Sequence, residues 1–469
     1  MLDQSFTADN FKNIYDIENR KSSIKDYLGN EYNDILARIE SLQNEVSQIK
    51  RKKMADRTDD EKQKLIDNKQ KKEELTAKKK EIQQNELEKI AKVINNKNFK
   101  FDLQVNDDIF TIQKTEEAFF AIKQLQYNIR KTFKVKQSSR HLILSQIKLL
   151  LNDSSPKYVI RTDITKFFES IPQDRLFKKI NNNTLLSIQS KKFIQQILDD
   201  YNNKKDTIKF ESDKGVPRGI GISSYLSELY MKDIDNQICN LQDVIYYARY
   251  VDDIFIIISP SLPKEEINNY FGKVQKIIEN DELTLHMEGD KCDLLDLFVP
   301  NVDETIITYL GYAIHIKRQG NKTTAQFGLS DSKKEKFQKR ITKCIEHFNN
   351  TNKYGIKQAK RNLLLSLRFL CSNTKLNQAK SRVKIGIFYS NDLLDKDYFA
   401  EIYEIDDYLN TQQISLYDKL FSDVAVKQSS EYRIKNLIIS NVNFKKGFTE
   451  KTHCTFSKDD LKTIKRILE

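Results

Sequence analysis

Residues 249–254 read Arg-Tyr-Val-Asp-Asp-Ile and set two aspartates, Asp252 and Asp253, between apolar runs at 244–247 and 254–258. Apolar runs on both sides of a turn predict a β-hairpin with this acidic pair at its tip. Adjacent carboxylates repel each other, so a structured turn that holds both is best explained by a bound cation. An ordinary surface turn is the alternative, because aspartate is a common turn residue. A buried strand at 254–258 favours the cation site, since it fixes the tip on the core.

A third aspartate, Asp163, follows the apolar triplet Tyr158-Val159-Ile160, which predicts a short strand that leads into a turn and a helix. If this strand pairs with the hairpin, Asp163 lies next to Asp252 and Asp253. Three carboxylates in one pocket can hold two Mg²⁺ ions about 4 Å apart, and such an ion pair serves in-line phosphoryl transfer. The sequence therefore predicts three catalytic metal ligands, with Mn²⁺ as the alternative metal.

These segments resemble the reverse transcriptase family. Tyr250-Val251-Asp252-Asp253 is similar to its catalytic Y-x-D-D box, and Asp163 with Phe168 five residues later is similar to the preceding motif and its steric gate. Four further similarities follow the family's order. Lys136 and Arg140 are similar to the fingers residues that hold the triphosphate, and residues 214–219 with Ser223 are similar to the loop and helix under template and nucleotide. Lys291 is similar to the lysine near the leaving pyrophosphate, and residues 309–312 are similar to the primer grip. One such motif is weak evidence, but six in order are a specific signal.

The resemblance implies nucleotide-binding roles for five residues: Lys136, Arg140, Phe168, Gly219 and Lys291. The three cations would face phosphate oxygens, and Phe168 would collide with a ribose 2′-hydroxyl and so favour deoxynucleotides. Gly219 would let the backbone approach the base pair closely. The alternatives are a solvated basic face for Lys136 and Arg140, core packing for Phe168, a plain turn glycine at 219 and a surface lysine at 291.

The resemblance also implies template or primer contacts at Arg218, Ser223, Leu310 and Gly311, and a further metal ligand in the backbone carbonyl of Ile164. Arg218 departs from the family, in which Gln is frequent before the second glycine of this loop. That departure puts standard template handling in doubt.

The C-terminal part of the sequence shows neither an RNase H-like acidic set nor an HNH-type nuclease motif. Together with residues 161–172 (RTDITKFFESIP) and 249–254 (RYVDDI), this resembles bacterial defence-associated reverse transcriptases of the abortive-infection and unknown-group lineage. The resemblance implies antiphage defence in the bacterial cytoplasm, with a noncoding RNA as partner. Residues 368–391 resemble the variety in which two reverse transcriptases pair with an RNA, so a second such chain is a candidate partner.

We expect an α+β fold, the right-hand polymerase with fingers, a palm around a small antiparallel sheet, and a helical thumb. A helical hairpin near the N-terminus and a helical C-terminal region are additions to that core. The predicted segments are a lead segment (1–30), the charged hairpin (31–95), fingers and palm (96–320), thumb (321–395) and the C-terminal helical region (396–469).

The hairpin prediction rests on apolar spacing. Ile35, Ile39, Leu42, Val46 and Ile49 follow each other at intervals of 4, 3, 4 and 3, which is typical of a coiled coil. Thr58 with Glu61 predicts a capping box for a second helix, whose apolar stripe contains Leu65, Leu75, Ile82, Leu87, Ile90 and Val93. A solvated charged spacer is the alternative. The coiled-coil seam makes a homo-oligomer a candidate assembly.

Several shorter elements are predicted as well. They are an amphipathic helix containing residues 142–151, helices at 176–200 and 264–280, a helix from Ser223 or Ser224 to about Cys239, a strand pair or long bent strand at 305–316, and a capping box of Ser332 with Glu335.

The net charge of +12 favours a polyanionic partner. The expected partners are an RNA template, the DNA product and deoxynucleoside triphosphates. No stretch approaches the roughly 20 apolar residues of a bilayer span, so we expect no membrane association and a cytosolic location. The five single cysteines show no zinc spacing.

Three rival functions stay open. An RNA-dependent RNA polymerase needs room for a 2′-hydroxyl, which Phe168 opposes. Template-independent or protein-primed DNA synthesis would start from a Tyr or Ser hydroxyl, and the sequence does not select one. A catalytically inactive nucleic-acid-binding scaffold is opposed by the presence of all three aspartates.

Overall fold

The computed structural model describes residues 2–21, 24–205, 211, 213–260, 266–375 and 384–469. Its helices are α1 (Ala8–Lys21), α2 (Gly29–Lys50), α3 (Asp59–Ile94), α4 (Glu116–Phe133), α5 (Arg140–Leu151), α6 (Phe167–Ser170), α7 (Gln173–Asn181), α8 (Ile188–Lys204), α9 (Ser223–Cys239), α10 (Ile267–Asn280), α11 (Asp331–Thr351), α12 (Ile356–Cys371), α13 (Ala400–Thr411), α14 (Val424–Asn441), α15 (Phe444–Thr449) and α16 (Lys458–Leu468).

The strands are β1 (Leu103–Asn106), β2 (Ile109–Ile112), β3 (Tyr158–Asp163), β4 (Val244–Tyr250), β5 (Asp253–Ile258), β6 (Asp293–Asp296), β7 (Asn301–Tyr309), β8 (Tyr312–Gln319), β9 (Lys322–Leu329), β10 (Asn373–Lys375) and β11 (Lys384–Gly386). This mixture of helices and antiparallel sheets confirms the α+β class. Residues 264 and 265 of the predicted 264–280 helix, and 376–383 within the 368–391 resemblance, lie outside the described residues.

The chain divides into two compact units. The first comprises Met1–Gln137, Ile164–Ile238 and Val274–Leu285, and the second comprises Ser138–Asp163, Cys239–Lys273 and His286–Glu469. Each unit is therefore built from three separate stretches of the chain.

In the first unit, α2 and α3 form the predicted antiparallel hairpin. Asn68 donates to Glu45 at 3.2 Å, and Lys79 lies over the ring of Tyr32, so the two helices run in opposite directions. The capping box of Thr58 with Glu61 is confirmed: the Thr58 hydroxyl accepts from the Glu61 amide and the Glu61 carboxylate accepts from the Thr58 amide.

Val93 is the one wrong member of the predicted α3 stripe. It is 46% exposed, whereas Ile94 is buried together with Leu87 and Ile90. Residues 87, 90 and 94 repeat at intervals of three and four, which the 3.6-residue helical period places on one face. Val93 lies about a quarter turn away from that face.

The predicted helix at 176–200 is two helices, α7 and α8. The Asn183 side chain accepts the amides of Leu185 and Leu186, and the Ser187 hydroxyl accepts the Ser190 amide at the start of α8. Short polar side chains that bond nearby backbone groups compete with helix continuation. The run of asparagines therefore ends α7, and the helix restarts at a serine cap.

In the second unit, a four-stranded antiparallel sheet has the order β4-β5-β3-β6. The predicted 244–258 hairpin is confirmed, since β4 and β5 pair directly and β3 lies on the other side of β5. Residues 254–258 of β5 are fully buried, so the tip of the hairpin is anchored on a core strand.

A second, three-stranded antiparallel sheet has the order β7-β8-β9. Its first two strands settle the 305–316 prediction as a strand pair, with Tyr309 opposite Tyr312. The predicted helix at 142–151 is α5, and it shares a hydrophobic core with both sheets that includes Ile147, Phe255 and Phe327.

The helical C-terminal region is confirmed, since residues 396–469 contain α13 to α16. Helices α11 to α16 surround a second hydrophobic core that contains Ile341, Phe348, Leu367, Ile402 and Phe444. The predicted capping box of Ser332 with Glu335 is wrong, because α11 begins at Asp331 after Ser330 and has no side-chain cap. The Ser332 hydroxyl instead lies 3.1 Å from that of Ser330. Among the described residues, no helix is both long and apolar enough to cross a bilayer.

Candidate active site

The acidic pair lies at the hairpin tip, as predicted. Tyr250 and Asp253 form the last cross-strand pair of β4 and β5, so Val251 and Asp252 make a two-residue turn. Val251 has a φ of 63°, which is costly for a β-branched residue. The Arg249 guanidinium donates to the Val251 carbonyl at 2.7 Å and helps to hold this conformation. Strained turns of this kind cluster at functional sites.

Asp163 is the directly opposite neighbour of Asp253 on the adjacent strand. Opposite residues of an antiparallel pair point to the same face with Cβ atoms about 5 Å apart. The end of β3 is fixed on its other side, where the His286 amide donates to the Asp163 carbonyl at 2.9 Å. The fold therefore brings Asp163 to Asp252 and Asp253, although Asp163 and Asp252 lie 89 positions apart in the sequence.

The three carboxylates raise one another's energy. Burial, followed by the charges of Asp252 and Asp163, raises the pKa of Asp253 to about 6. Asp163 is buried, and its Oδ1 has no hydrogen-bond partner among the described residues. A buried carboxylate oxygen without a partner and a carboxyl group that resists ionisation both indicate a site completed by positive charge.

Two cations of the chain already face this cluster. Lys291 Nζ lies 2.8 Å from Asp163 Oδ2, and that bond raises the pKa of Lys291. Arg161, buried two residues before Asp163, lies with its Nη2 3.9 Å from Asp253 Oδ1 and its Nη1 3.5 Å from Asp293 Oδ2. Arg161 is a member of the site that was not predicted from the sequence. The signal was available, because residues 161 and 163 of a strand share one face.

The donor set fits a hard divalent cation, which prefers carboxylate and carbonyl oxygens. In the part of the chain that is described, no three His, Cys, Asp or Glu side chains are already arranged as a metal-ligand group. The ammonium of Lys291 takes Oδ2 of Asp163, and Oδ1 of the same carboxylate, which has no partner among the described residues, stays open to a metal ion. Ile164, whose carbonyl is the further candidate ligand, is the next residue and belongs to the first unit.

The predicted primer-grip residues come together with Arg140. Leu310 and Gly311 form the two-residue turn between β7 and β8, with φ values of 46° and 76°. The Arg140 Nε donates to the Leu310 carbonyl at 2.8 Å, and its guanidinium lies over the ring of Tyr312. Arg140 thus lies against the turn in the second unit, whereas its predicted companion Lys136 belongs to the first unit.

Lys136 lines a basic cavity of about 580 Å³ with Arg130, Lys131 and Lys134, beside the first turn of α9. Phe167 is buried and Phe168 is only half-buried, so Phe168 is the ring that can meet a ligand.

Arg218, Gly219 and Ser223 also lie in the first unit. The Arg218 carbonyl accepts from the Phe110 amide at 2.7 Å, and a Cβ at Gly219, whose φ is 105°, would collide with the Phe110 carbonyl. Position 219 therefore requires glycine because its backbone lies close to the backbone of β2. The predicted helix α9 begins at Ser223, whose hydroxyl donates to the Pro217 carbonyl, while that of Ser224 donates to the Gly221 carbonyl.

Comparison with known proteins gives a family match. The family described as reverse transcriptase (RNA-dependent DNA polymerase) matches residues 78–314, just over half of the chain. No curated protein matches. Similar solved structures include telomerase from Candida albicans in complex with a TWJ fragment of telomeric RNA (13% identity, 73% of this chain and 62% of that chain covered, TM-score 0.32). Another is apo telomerase from Candida tropicalis (13% identity, 74% and 56% covered, TM-score 0.32). The chain spans less than two thirds of the length of either telomerase.

Proposed function

The chain belongs to the reverse transcriptase family of RNA-directed DNA polymerases, and from this premise we propose that it copies an RNA template into DNA at Asp163, Asp252 and Asp253. Its fold class is the α+β right-hand polymerase fold of that family. The observation that carries the proposal is the cross-strand pairing of Asp163 with Asp253, which places three carboxylates at the end of one sheet. The substrates are deoxynucleoside triphosphates, and the product is DNA.

In this proposal the three aspartates hold two Mg²⁺ ions, with Mn²⁺ as the alternative, and the Ile164 carbonyl is a further candidate ligand. Such ions lower the pKa of an attacking 3′-hydroxyl and stabilise negative charge in the transition state. The orphan Oδ1 of Asp163 and the raised pKa of Asp253 support this donor set. Arg161 keeps Asp253 oriented on the face that it shares with Asp163.

Lys291 has a second task in the same proposal. Its side chain is half-exposed, so it can leave Asp163 when the site is loaded and turn towards the leaving pyrophosphate. An ammonium on a flexible four-carbon stem suits a contact that is made in one state and broken in another.

The remaining predicted residues keep their proposed roles. Phe168 excludes the 2′-hydroxyl, Lys136 and Arg140 contact phosphates, and Gly219 shapes the loop beneath the base pair. Arg218, Ser223, Leu310 and Gly311 contact template or primer. Support for the Leu310–Gly311 turn comes from its bond to Arg140, which sets a cation beside a backbone turn, an arrangement suited to a phosphate.

The proposed biological role is antiphage defence in the bacterial cytoplasm, with a dedicated noncoding RNA as template or partner. The resemblance of residues 161–172 and 249–254 to defence-associated reverse transcriptases supports it. A second reverse transcriptase chain or a second copy of this chain is the candidate protein partner.

The test is primer extension on a defined RNA template with all four deoxynucleotides. Asp252→Asn with Asp253→Asn should abolish incorporation and leave RNA binding intact, because the strands behind the tip remain. Asp303→Asn, an exposed aspartate of β7, is the matched control and should extend normally. Equal extension by the double variant and the wild type would contradict the proposal. Sequencing of RNA that co-purifies from the native host, and phage challenge of that host, test the proposed role.

A further inference from the structure

Two adjoining cavities in the second unit form a groove, which we call the α11 groove, that none of the three aspartates lines. The larger cavity has a volume of about 490 Å³ and the smaller about 190 Å³. Phe337, Arg340 and Ser390 line both, so the two cavities adjoin along one wall. Tyr250, the last residue of β4 before the turn that carries Asp252, lines the larger cavity. The groove therefore opens beside the candidate active site.

The larger cavity is lined by four cations: Arg140, Lys333, Lys336 and Arg340. The three on α11 follow each other at intervals of three and four, which places them on one helical face. None of the four has a carboxylate within ion-pair distance in the part of the chain that the structure describes. An anionic ligand would meet uncompensated positive charge there.

Lys333, one of these four cations, lies against a backbone carbonyl and an aromatic ring. Its Nζ donates to the Ser390 carbonyl at 2.9 Å and lies 4.5 Å from the centre of the Tyr312 ring. Burial, and then the charge of Arg140, lowers the pKa of Lys333 to about 7, and Asp392 opposes that effect only in part. A phosphate oxygen would stabilise the ammonium form.

The smaller cavity is an aromatic slot lined by Phe337, Phe369 and Phe456. The rings of Phe369 and Phe456 meet edge to face, with centroids 5.5 Å apart. Ser372 lines the same slot, is 4% exposed, and its Oγ has no hydrogen-bond partner in the described part of the chain. A flat apolar ligand with a polar edge would pack on the rings and give that hydroxyl a partner.

We propose that the α11 groove binds one nucleotide, with its phosphate among the four cations and its base in the aromatic slot. At about 190 Å³ the slot is smaller than the roughly 300–1,000 Å³ of most ligand pockets, so it suits a base alone. Base stacking on aromatic rings, with the backbone in a positive groove, is the general physics of single-stranded nucleic-acid binding. The ligand is either a free nucleotide or one nucleotide of a strand, since both present the same chemistry.

The test uses the full chain in EDTA, so that neither synthesis nor metal-dependent binding contributes. The probes are 2-aminopurine riboside 5′-monophosphate and a short single-stranded RNA that carries one 2-aminopurine. Stacking in the slot should quench the fluorescence of the base saturably. Phe456→Leu and Arg340→Gln should each weaken binding about tenfold, as loss of a stacking ring or of a charged phosphate contact does. Tyr354→Leu and Arg433→Gln, exposed residues of the same unit outside the groove, are the matched controls.

Ser372→Ala keeps the test independent of folding defects. Because the Ser372 Oγ has no partner, its removal should leave thermal stability unchanged while weakening binding a few-fold. Binding of both probes supports a free-nucleotide site, and binding of the strand alone supports a site for one nucleotide of a strand.

Two results would overturn the proposal. The first is no quenching of either probe. The second is weaker binding by Arg340→Gln with unchanged binding by Phe456→Leu and Ser372→Ala, which would show a basic face that holds phosphates without a base. Because the titration needs no incorporation, its outcome is separate from that of the polymerase assay.

Discussion

Lys291 Nζ lies 2.8 Å from Asp163 Oδ2, so the chain's own cation occupies part of the site proposed for a metal ion. Asp252 and Asp253 also raise the pKa of Lys291 through their charges. The ammonium therefore compensates a cluster of three carboxylates that would otherwise repel one another. A metal ion and Lys291 therefore compete to neutralise the same three carboxylates.

Lys291→Ala should therefore tighten Mn²⁺ binding. Lys291 is half-exposed, and exposed ion pairs contribute about 0.2–1 kcal/mol, so we expect a gain of a few-fold in affinity. Calorimetric titration with MnCl₂ measures it. Lys276→Ala, an exposed lysine of α10, is the control and should leave the affinity unchanged. Unchanged or weaker Mn²⁺ binding by the Lys291 variant would exclude competition.

Metal binding should release protons in weakly acidic solution. The pKa of Asp253 is raised to about 6 from an ordinary value of 3.8, so between these values the folded, metal-free protein holds a proton that the unfolded chain has lost. Asp253 therefore costs the folded state stability as the pH rises from 3.8 to about 6. A bound cation requires the ionised form and expels the proton.

Calorimetry in two buffers of different ionisation enthalpy measures this release. At pH 6 the binding of Mn²⁺ should release about half a proton from Asp253, and at pH 8 almost none. Equal proton release at both pH values would show that Asp253 is not the coupled group.

Val251→Gly should stabilise the protein and impair catalysis. Val251 has a φ of 63°, which glycine adopts without strain, and such strain costs about 1–3 kcal/mol. Part of the gain is offset by the greater freedom of glycine in the unfolded chain, so we expect about 1 kcal/mol in denaturant unfolding. Incorporation should fall, because the tip that carries Asp252 and Asp253 loosens. Val244→Gly, at the start of β4, is the control and should destabilise the protein. A similar loss of stability in Val251→Gly would show that Val251 is not strained.

Phe168→Ala should admit ribonucleotides. Phe167 is buried and Phe168 half-buried, so shortening Phe168 enlarges the proposed sugar site with little damage to the core. Competition between deoxy- and ribonucleoside triphosphates in single-nucleotide extension measures the ratio of the two sugars incorporated. Phe168→Tyr is the control and should keep the wild-type preference for deoxynucleotides. Unchanged sugar selection by the alanine variant would remove Phe168 from the gate.

Much of the catalytic end of the sheet could be predicted from the sequence. Residues 158–160 and 254–258 are apolar runs without competing turn residues, and both become buried strands. The pairing of Asp163 with Asp253 follows once these strands are neighbours. Arg161, the buried cation beside Asp253, could not be predicted from the local sequence pattern. The partner of a single arginine in a strand is known only once the register of the neighbouring strands is known.

Other elements were not predicted from the spacing of apolar residues. Strand β9 alternates polar residues with Thr323, Ala325 and Phe327, and its buried face carries too little apolar surface to stand out. Helix α1 lies in the segment expected only as a lead, although Phe11, Ile14 and Tyr15 are buried at helical spacing. The α11 groove joins residues from α11, α12 and the C-terminal segment, and such long-range assembly leaves no local signal.

The most direct test of the three-aspartate site is an anomalous difference map from a crystal of the protein soaked in MnCl₂. We expect Mn²⁺ peaks at coordination distance from Asp163 and from the Asp252–Asp253 tip, with Lys291 displaced from Asp163 Oδ2. Mn²⁺ bound elsewhere, or bound at the tip with the Asp163 carboxylate turned away from it, would contradict the proposed site.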